Sequence, residues 1–280
     1  VPIVTKNQQE SDSSKGYLQT LVRSRLSLNA IHNGDSFTLC EQIEAKSVDM
    51  ILEDMPYNTT ACEWDVKIDL NLYWETRLRI LKPTGVVVLT GSQPFTSFLV
   101  MSNLKMFKYE WIWGKNTAGD KMNAKNKAVK MHENILIFSK GTTANCSNRR
   151  MLYNPQGLRP SSRKRSGIDY GNYGKSFAIV RKSHAAYIQE FEGYPTTLLY
   201  YTQDKIRLHP TQKPVGLFEY LIRTYTNEGD LVFDGFGGSG TTAIAAHRSK
   251  RNFIVIEKNL EYYEKSKQRL EIEQAQQVLF

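Results

Sequence analysis

Residues 234–242 read Asp-Gly-Phe-Gly-Gly-Ser-Gly-Thr-Thr and stand between an apolar run, Leu231–Phe233, and an alanine-rich stretch, Thr241–Ser249. Glycines at 235, 237, 238 and 240 let a backbone turn sharply and come close to a ligand, and a helix start offers unpaired N–H groups. A further apolar run, Phe253–Glu257, ends in an acid placed to accept hydrogen bonds from ribose hydroxyls. Strand, glycine turn, helix, strand and acid together predict a nucleoside-bearing cofactor on an α/β unit. Gly235 to Gly240 also satisfies the dinucleotide pattern G-x-G-x-x-G, which keeps a nicotinamide oxidoreductase open. Asp234 argues against it, because a pyrophosphate would meet a negative charge there, whereas an ammonium-bearing ligand would be attracted. Only 40 residues follow Gly240, too few for the second half of a dinucleotide fold.

The rest of the chain continues the alternation. Val48 to Asp54 reads as a buried strand ending in acid, and Leu72 to Leu81 as a helix. That helix is expected to stop in a turn at Lys82-Pro83-Thr84-Gly85, before a strand at Val86–Thr90. Lys108–Trp113 and Asn134–Phe138 read as two more strands, with the lysine-rich segment 115–130 between them. Val215–Tyr225 reads as a helix with Val215, Phe218, Leu221, Ile222 and Tyr225 on one face, and a charged helix ends the chain. Strands alternating with helices imply a mostly parallel sheet covered on both faces. Residues 1–30 read as a polar N-terminal arm, 31–140 and 208–280 as two halves of one domain, and 141–207, rich in Gly, Ser, Asn, Tyr and Arg, as an inserted lobe.

The charge is unevenly placed. The formal net charge is +9, yet from Lys115 to Arg207 there are 17 Lys and Arg against 6 Asp and Glu, so this third of the chain carries the whole basic excess. Lys121, Lys125, Lys127 and Lys130 precede the lobe; Arg163-Lys164-Arg165 and Arg181-Lys182 within it alternate with Tyr153, Tyr170, Tyr173, Phe177 and Tyr187. Cations for phosphates and aromatic faces for bases suit a nucleic acid, while a solvated basic loop is the simpler alternative. Three cysteines, Cys40, Cys62 and Cys146, share no metal-ligand spacing, and neither do the five histidines. No metal or disulfide framework is expected, and a reducing, cytoplasmic setting is. The opening residues Gln8 to Ser14 do not read as a signal segment, and the longest aliphatic run, Val86–Leu89, is far short of a membrane span.

Asp54-Met55-Pro56-Tyr57 closes the first strand, where ligands of open parallel sheets sit. An acceptor side chain, a backbone carbonyl held by the following proline and an aromatic plate would point together into the crevice. With this tetrapeptide, the turn Asp234–Thr242 and the segment His209-Pro210-Thr211-Gln212-Lys213-Pro214, the chain resembles the β group of DNA amino-methyltransferases. The resemblance runs from about Ile31 to Leu270. It implies a Rossmann-like methyltransferase fold, a mostly parallel seven-stranded sheet with an antiparallel hairpin and an inserted target-recognition region, here 141–207.

The resemblance also implies S-adenosylmethionine as cofactor and the N6 amine of adenine in double-stranded DNA as target, with the N4 amine of cytosine as the close variant. Asp54 and the Met55 carbonyl would accept from the target amine, with Pro56 holding that carbonyl, and Tyr57 would stack on the flipped base. Phe236, Gly237, Gly238, Ser239, Gly240 and Thr241 match the turn around the cofactor's methionine part, with Asp234 and Asp54 beside it. Glu257 matches the ribose-binding acid, Asp35 the acid near the cofactor's adenine, and Thr211 and Lys213 the segment closing over the methionine end. His132 to Phe138 resembles the strand that enters the recognition region. RNA or protein methylation is a further alternative, and the family allows a homodimer and a cognate restriction endonuclease, in a bacterial or phage-infected cell with the enzyme on the nucleoid. The family usually has proline where Met55 and Gly235 stand, so both positions are expected to be less rigid here.

Overall fold

The C-terminal strands illustrate how local sequence sets this architecture. Asn252–Glu257 and Leu231–Asp234 are short apolar runs without alternation, as expected of parallel strands buried on both faces. The computed structural model describes residues 25–57, 68–119, 121–145, 147–165, 187–205, 208 and 211–277. Strands and helices are numbered below in chain order.

Strands β1 (Ala30–Asn33), β10 (Asn252–Glu257), β9 (Leu231–Asp234), β2 (Val48–Glu53) and β3 (Leu81–Gly91) lie side by side in that order, all parallel. The sheet continues antiparallel through β5 (Lys130–Ser139) and β4 (Phe107–Gly119). An eighth strand, β8 (Leu198–Tyr200), pairs parallel with β4, Ile112 opposite Leu198. The seven-stranded expectation omits β8 because three residues are too few to reveal a period. A separate antiparallel ribbon joins β6 (Arg159–Arg165) to β7 (Tyr187–Glu192), Arg163 opposite Gln189.

Helices cover both faces. α4 (Val215–Tyr225), α5 (Thr241–Arg248) and α6 (Leu260–Gln277) pack with Met50, Leu52, Val86 and Val88 on one side. The short α1 (Ser36–Cys40), α2 (Leu70–Ile80) and α3 (Phe95–Ser102) pack with Val48, Ile51, Val87 and Leu89 on the other. Alternate residues from Met50 to Leu52 of β2 and from Val86 to Leu89 of β3 thus feed different cores, the period-two rule of a strand, while Val48 lies before a register shift in β2. Two aspartates start helices: Asp35 accepts from the amides of Phe37 and Thr38, and Asp69 from those of Asn71 and Leu72.

Lys82–Gly85 is not a free turn. The chain passes from α2 directly into β3, Leu81 facing Val48 and Val86 facing Met50, so the Pro-Thr-Gly segment is accommodated as a bulge inside the strand. The two strands around the lysine-rich segment are also longer than their apolar cores, since the hairpin continues outward to Gly119 opposite Lys130. Among the described residues no helix is long and apolar enough to cross a membrane, and no cluster of three or more His, Cys, Asp or Glu could hold a metal.

Candidate active site

The parallel strands β1, β10, β9 and β2 end beside one another, and each ends in or is followed closely by an acid: Asp35, Glu257, Asp234 and Asp54. All four line one cavity of about 640 Å³ at the carboxyl edge of the sheet. Met55, Pro56, Tyr57, Thr211, Lys213, Phe236, Gly237, Gly238, Ser239 and Thr241 line it too. Sequence separations of more than 200 residues are closed by strand order alone.

Asp54 is held from three directions. The hydroxyls of Tyr57, at 2.7 Å, and Thr90 donate to its Oδ1, and the Lys213 ammonium donates to its Oδ2 at 2.5 Å. Burial alone would raise the Asp54 pKa, but the adjacent Lys213 charge and these bonds hold the carboxyl below the usual range. Lys213 is itself buried, 5% exposed, which would favour loss of its proton; Asp54 and Glu133 outweigh this and keep it charged. Tyr57 stays a neutral donor, because burial and then the Asp54 charge push its pKa well above normal. Its ring lies 5.1 Å from that of Phe95, inclined at 31°.

The Met55 side chain is 1% exposed and belongs to the core with Ile51, Phe233 and Phe236. A flexible apolar side chain fills space there that a proline ring would not reach. Gly235 departs from the sequence expectation more sharply. Its amide donates to Glu53 Oε1 at 2.9 Å, which proline could not do. A Cβ at this position would lie 2.3 Å from Arg77 Nη2 and 2.8 Å from Glu53 Oε1. The turn is therefore anchored here, not loosened.

Its anchor is a buried ion pair. Arg77 Nε donates to Glu53 Oε1 at 3.0 Å with both side chains fully enclosed, and Tyr73 Oη donates to Glu53 Oε2 at 2.6 Å. The guanidinium also donates to Ser36 Oγ and Cys40 Sγ, and the rings of Phe37, Tyr73, Phe233 and Phe236 surround it at 5.0–5.5 Å. Phe236 of the glycine turn thus rests on Arg77.

Asp234 accepts from the Phe236 amide at 2.8 Å and from the Thr242 hydroxyl. Burial, with the nearby Glu53 and Asp54 charges adding to it, still pushes its pKa up to about 8. A cation brought beside it would reverse that cost. Gly240 adopts φ +75° at the start of α5, the left-handed region where a side chain is strained, and brings no side-chain cap to the helix start. Ser239 accepts through its carbonyl from Arg269 of α6 at 3.0 Å. Glu257 accepts from the amides of Gly238 at 2.6 Å and Asn259 at 2.7 Å, and burial raises its pKa. Two filled positions leave this carboxylate room to accept from a ligand. Asp35 splits its oxygens between capping α1 and an ion pair with Lys258 at 3.2 Å.

The described basic residues that the sequence offers to a nucleic acid do not line this cavity. Lys121, Lys125 and Lys127 are exposed at the tip between β4 and β5. Lys130 is half-buried and turns back, donating to Ser92 Oγ just beyond β3. Arg163 and Lys164 are exposed on β6; Arg165 is placed on the same strand. Arg181, Lys182, His209 and Cys62 lie outside the described residues.

Thr90, Glu53 and Arg77 lie outside every motif read from the sequence, and Glu133, inside the segment His132–Phe138, is given no role there. Arg77 carries one detectable signal, a lone cation on the helix face of Tyr73, Trp74 and Ile80. An acid-rimmed cavity over a glycine turn, with an ionised carboxylate and a tyrosine at its far side, suits a nucleoside-bearing cation next to a polar planar substrate.

Known proteins agree with this. The type II methyltransferase M.HpaI of Haemophilus parainfluenzae is 29% identical over 249 residues, covering 83% of this chain and 71% of that protein. The DNA adenine methyltransferase YhdJ of Escherichia coli (strain K12) is 29% identical over 258 residues, covering 86% and 82%. The crystal structure of the M1.HpyAVI–SAM complex superposes with a TM-score of 0.56 at 24% identity, covering 86% of this chain and 98% of that one, which establishes a shared fold. Residues 48–268, more than three quarters of the chain, match the N6/N4 DNA methylase family as a whole, and the protein is a member of that family.

Proposed function

We propose that this DNA methyltransferase moves a methyl group from S-adenosylmethionine to the N6 amine of adenine in duplex DNA, with the base flipped into the cavity described above. The observation that carries this reading is the joint placement of Asp54, Tyr57, Asp234 and Glu257 around one cavity of about 640 Å³. Asp at position 54 and the likeness to an adenine methyltransferase favour adenine over cytosine.

The residues fit the cofactor. Asp234, buried and short of a counter-charge, suits its ammonium group; Glu257 suits the ribose hydroxyls and Asp35 the adenine end. Phe236 to Thr241 would border its methionine part, with Thr211 and Lys213 closing over that end. When bound, S-adenosylmethionine supplies an already activated methyl group. The protein's task is then alignment for an in-line displacement, in which a nitrogen–carbon bond forms as the sulfur–carbon bond breaks, sulfur keeps the electron pair and the methylated nitrogen then releases one proton to solvent.

An aromatic amine is a weak nucleophile because its lone pair is delocalised into the ring. Asp54 and the Met55 carbonyl would accept its two hydrogens, favour a pyramidal nitrogen and stabilise the positive charge developing there. Asp54, held ionised by Lys213, is a hydrogen-bond acceptor more than a base. Flipping costs roughly a few kcal/mol, partly offset by stacking on Tyr57. The exposed Lys121, Lys125, Lys127, Arg163 and Lys164 would meet phosphates, as would Arg165, Arg181 and Lys182 within the same basic third, while Lys130 stays with Ser92 and residues 141–207 would read the target sequence.

Unmethylated duplex DNA incubated with the protein and methyl-labelled S-adenosylmethionine, then digested to nucleosides, tests this directly. Label on N6-methyladenine is expected. Label on N4-methylcytosine would keep the mechanism and replace the base; label absent from DNA would sink the reading.

A further inference from the structure

Glu133 sits on β5 opposite Trp113 of β4, near the start of the segment His132–Phe138, and has no role in the reaction described above. It nevertheless lines the cavity. Lys115 fixes one end of it, donating to Oε1 while lying 4.9 Å over the Trp113 ring. The other oxygen, Oε2, is buried and accepts no hydrogen bond. It lies 3.5 Å from Lys213 Nζ, the ammonium that is 2.5 Å from Asp54 Oδ2. A buried carboxylate oxygen without a donor is costly, and an ammonium just beyond good hydrogen-bonding distance is its evident partner.

We propose that Glu133 is a positioning residue for Asp54, its Oε2 taking over the Lys213 ammonium as the target amine arrives. This rests on the reading that Asp54 accepts from that amine. The reason is electrostatic. As the methyl group moves, positive charge grows on the amine nitrogen beside Asp54, where the Lys213 charge already sits. Tyr57 and Thr90 fill Oδ1, so Oδ2 is the oxygen left for the amine, and Lys213 is on it. Swinging Lys213 to Glu133 removes a like charge from the reacting nitrogen and keeps the ammonium paired throughout. No bond other than hydrogen bonds changes in this step. Lys115 holds Glu133 still, so Lys213 is the group that moves.

The test measures single-turnover transfer of labelled methyl to unmethylated genomic duplex DNA at saturating cofactor, alongside affinity for S-adenosylhomocysteine. Glu133→Gln is expected to slow transfer about tenfold or more, the worth of a charged hydrogen bond. Its affinity for S-adenosylhomocysteine should stay within about threefold of wild type, which also reports an intact fold. Glu133→Asp should recover part of the rate. In a Lys213→Met background, Glu133→Gln should cost little more, because there is no ammonium left to hand over. Wild-type transfer by Glu133→Gln overturns the proposal, as does an equal loss in both backgrounds or a loss confined to cofactor affinity. Should the Lys213→Met chain be too slow to compare, the Glu133→Gln rate and its rescue by Glu133→Asp decide the matter. Asp54→Ala, run in parallel, separates the two ideas: if it transfers at the wild-type rate, the role of Asp54 falls first.

Discussion

The Gly235 amide donates to Glu53 Oε1 over 2.9 Å, tying the glycine turn after β9 to the last residue of the neighbouring strand β2. The same oxygen takes Arg77 Nε at 3.0 Å, so a fully buried ion pair sits under the turn. Where the family usually has proline, this chain uses a residue with an N–H and no side chain. Gly235→Pro should therefore fail here: it removes a donor from a buried carboxylate and drives a ring into Arg77. Gly235→Ala, with its Cβ 2.3 Å from Arg77 Nη2, should cost about 1–3 kcal/mol of stability through overpacking. Denaturant unfolding measures both, and a Gly235→Pro chain as stable as wild type would refute the account.

Arg77→Met should be worse than Gly235→Ala. It leaves Glu53 charged and enclosed without its cation, a loss of about 3–5 kcal/mol in comparable buried pairs. Adding Glu53→Gln to Arg77→Met should restore part of that stability, because the stranded charge is gone. The order of the three unfolding midpoints is the readout: Arg77→Met lowest, the double variant between it and wild type.

Asp234 gives a pH dependence whose sign can be fixed. Burial pushes its pKa up to about 8, above the 3.8 of a free side chain, so between about pH 4 and pH 8 the folded chain holds a proton that the unfolded chain has lost. Its contribution to stability thus declines as pH rises through that window. A bound cation favours the ionised form, so cofactor binding should release this proton. Affinity for S-adenosylmethionine should rise with pH up to about 8, by at most about tenfold per unit, and then level off. Asp234→Asn should flatten the profile, and calorimetry in buffers of different ionisation enthalpy would count the proton. A flat wild-type profile would remove Asp234 from the cofactor's surroundings.

Asp54 runs the other way. Burial would raise its pKa, but the Lys213 ammonium and the hydrogen bonds from Lys213, Thr90 and Tyr57 together hold it below the usual carboxylate range, so it stays ionised until pH falls below that range, and stability from the Lys213 pair is lost only as it is protonated. Asp54→Ala should abolish methyl transfer while keeping affinity for S-adenosylhomocysteine within about threefold. Lost cofactor binding in that variant would move Asp54 from the target amine to the cofactor.

What the sequence discloses divides by distance along the chain. The turn 234–242 and the tetrapeptide 54–57 are legible because each packs its chemistry into fewer than ten residues beside an unmistakable strand. Strands β9 and β10 are legible as bare apolar runs. Glu53, Arg77 and Gly235 form one unit only after 24- and 182-residue separations are closed, and no local pattern encodes that closure. Glu133 is hidden for the same reason, its partner Lys213 being fixed by another element. Lys82–Gly85 misleads in the opposite way: Pro-Thr-Gly has turn chemistry, but pairing with β2 on either side makes it a bulge within a strand.

The basic third of the chain separates positioning from chemistry. Lys121 and Lys125 are exposed at the β4–β5 tip and Arg163 and Lys164 on β6, none of them lining the cavity, whereas Lys130 turns inward to Ser92. If the exposed cations meet phosphates, each lost contact should weaken duplex binding at every sequence alike and reduce the slope of log affinity against log salt by about 0.9. Lys121→Ala and Lys125→Ala together should lower that slope by nearly two while leaving single-turnover transfer at saturating DNA unchanged. Lys130→Ala should change the slope little, since its ammonium is already committed to Ser92. An equal slope change for Lys130→Ala and Lys125→Ala would mean that Lys130 leaves Ser92 on meeting DNA. An unchanged slope in the double variant would place the phosphate contacts elsewhere in the basic third, with β6 the next surface to test.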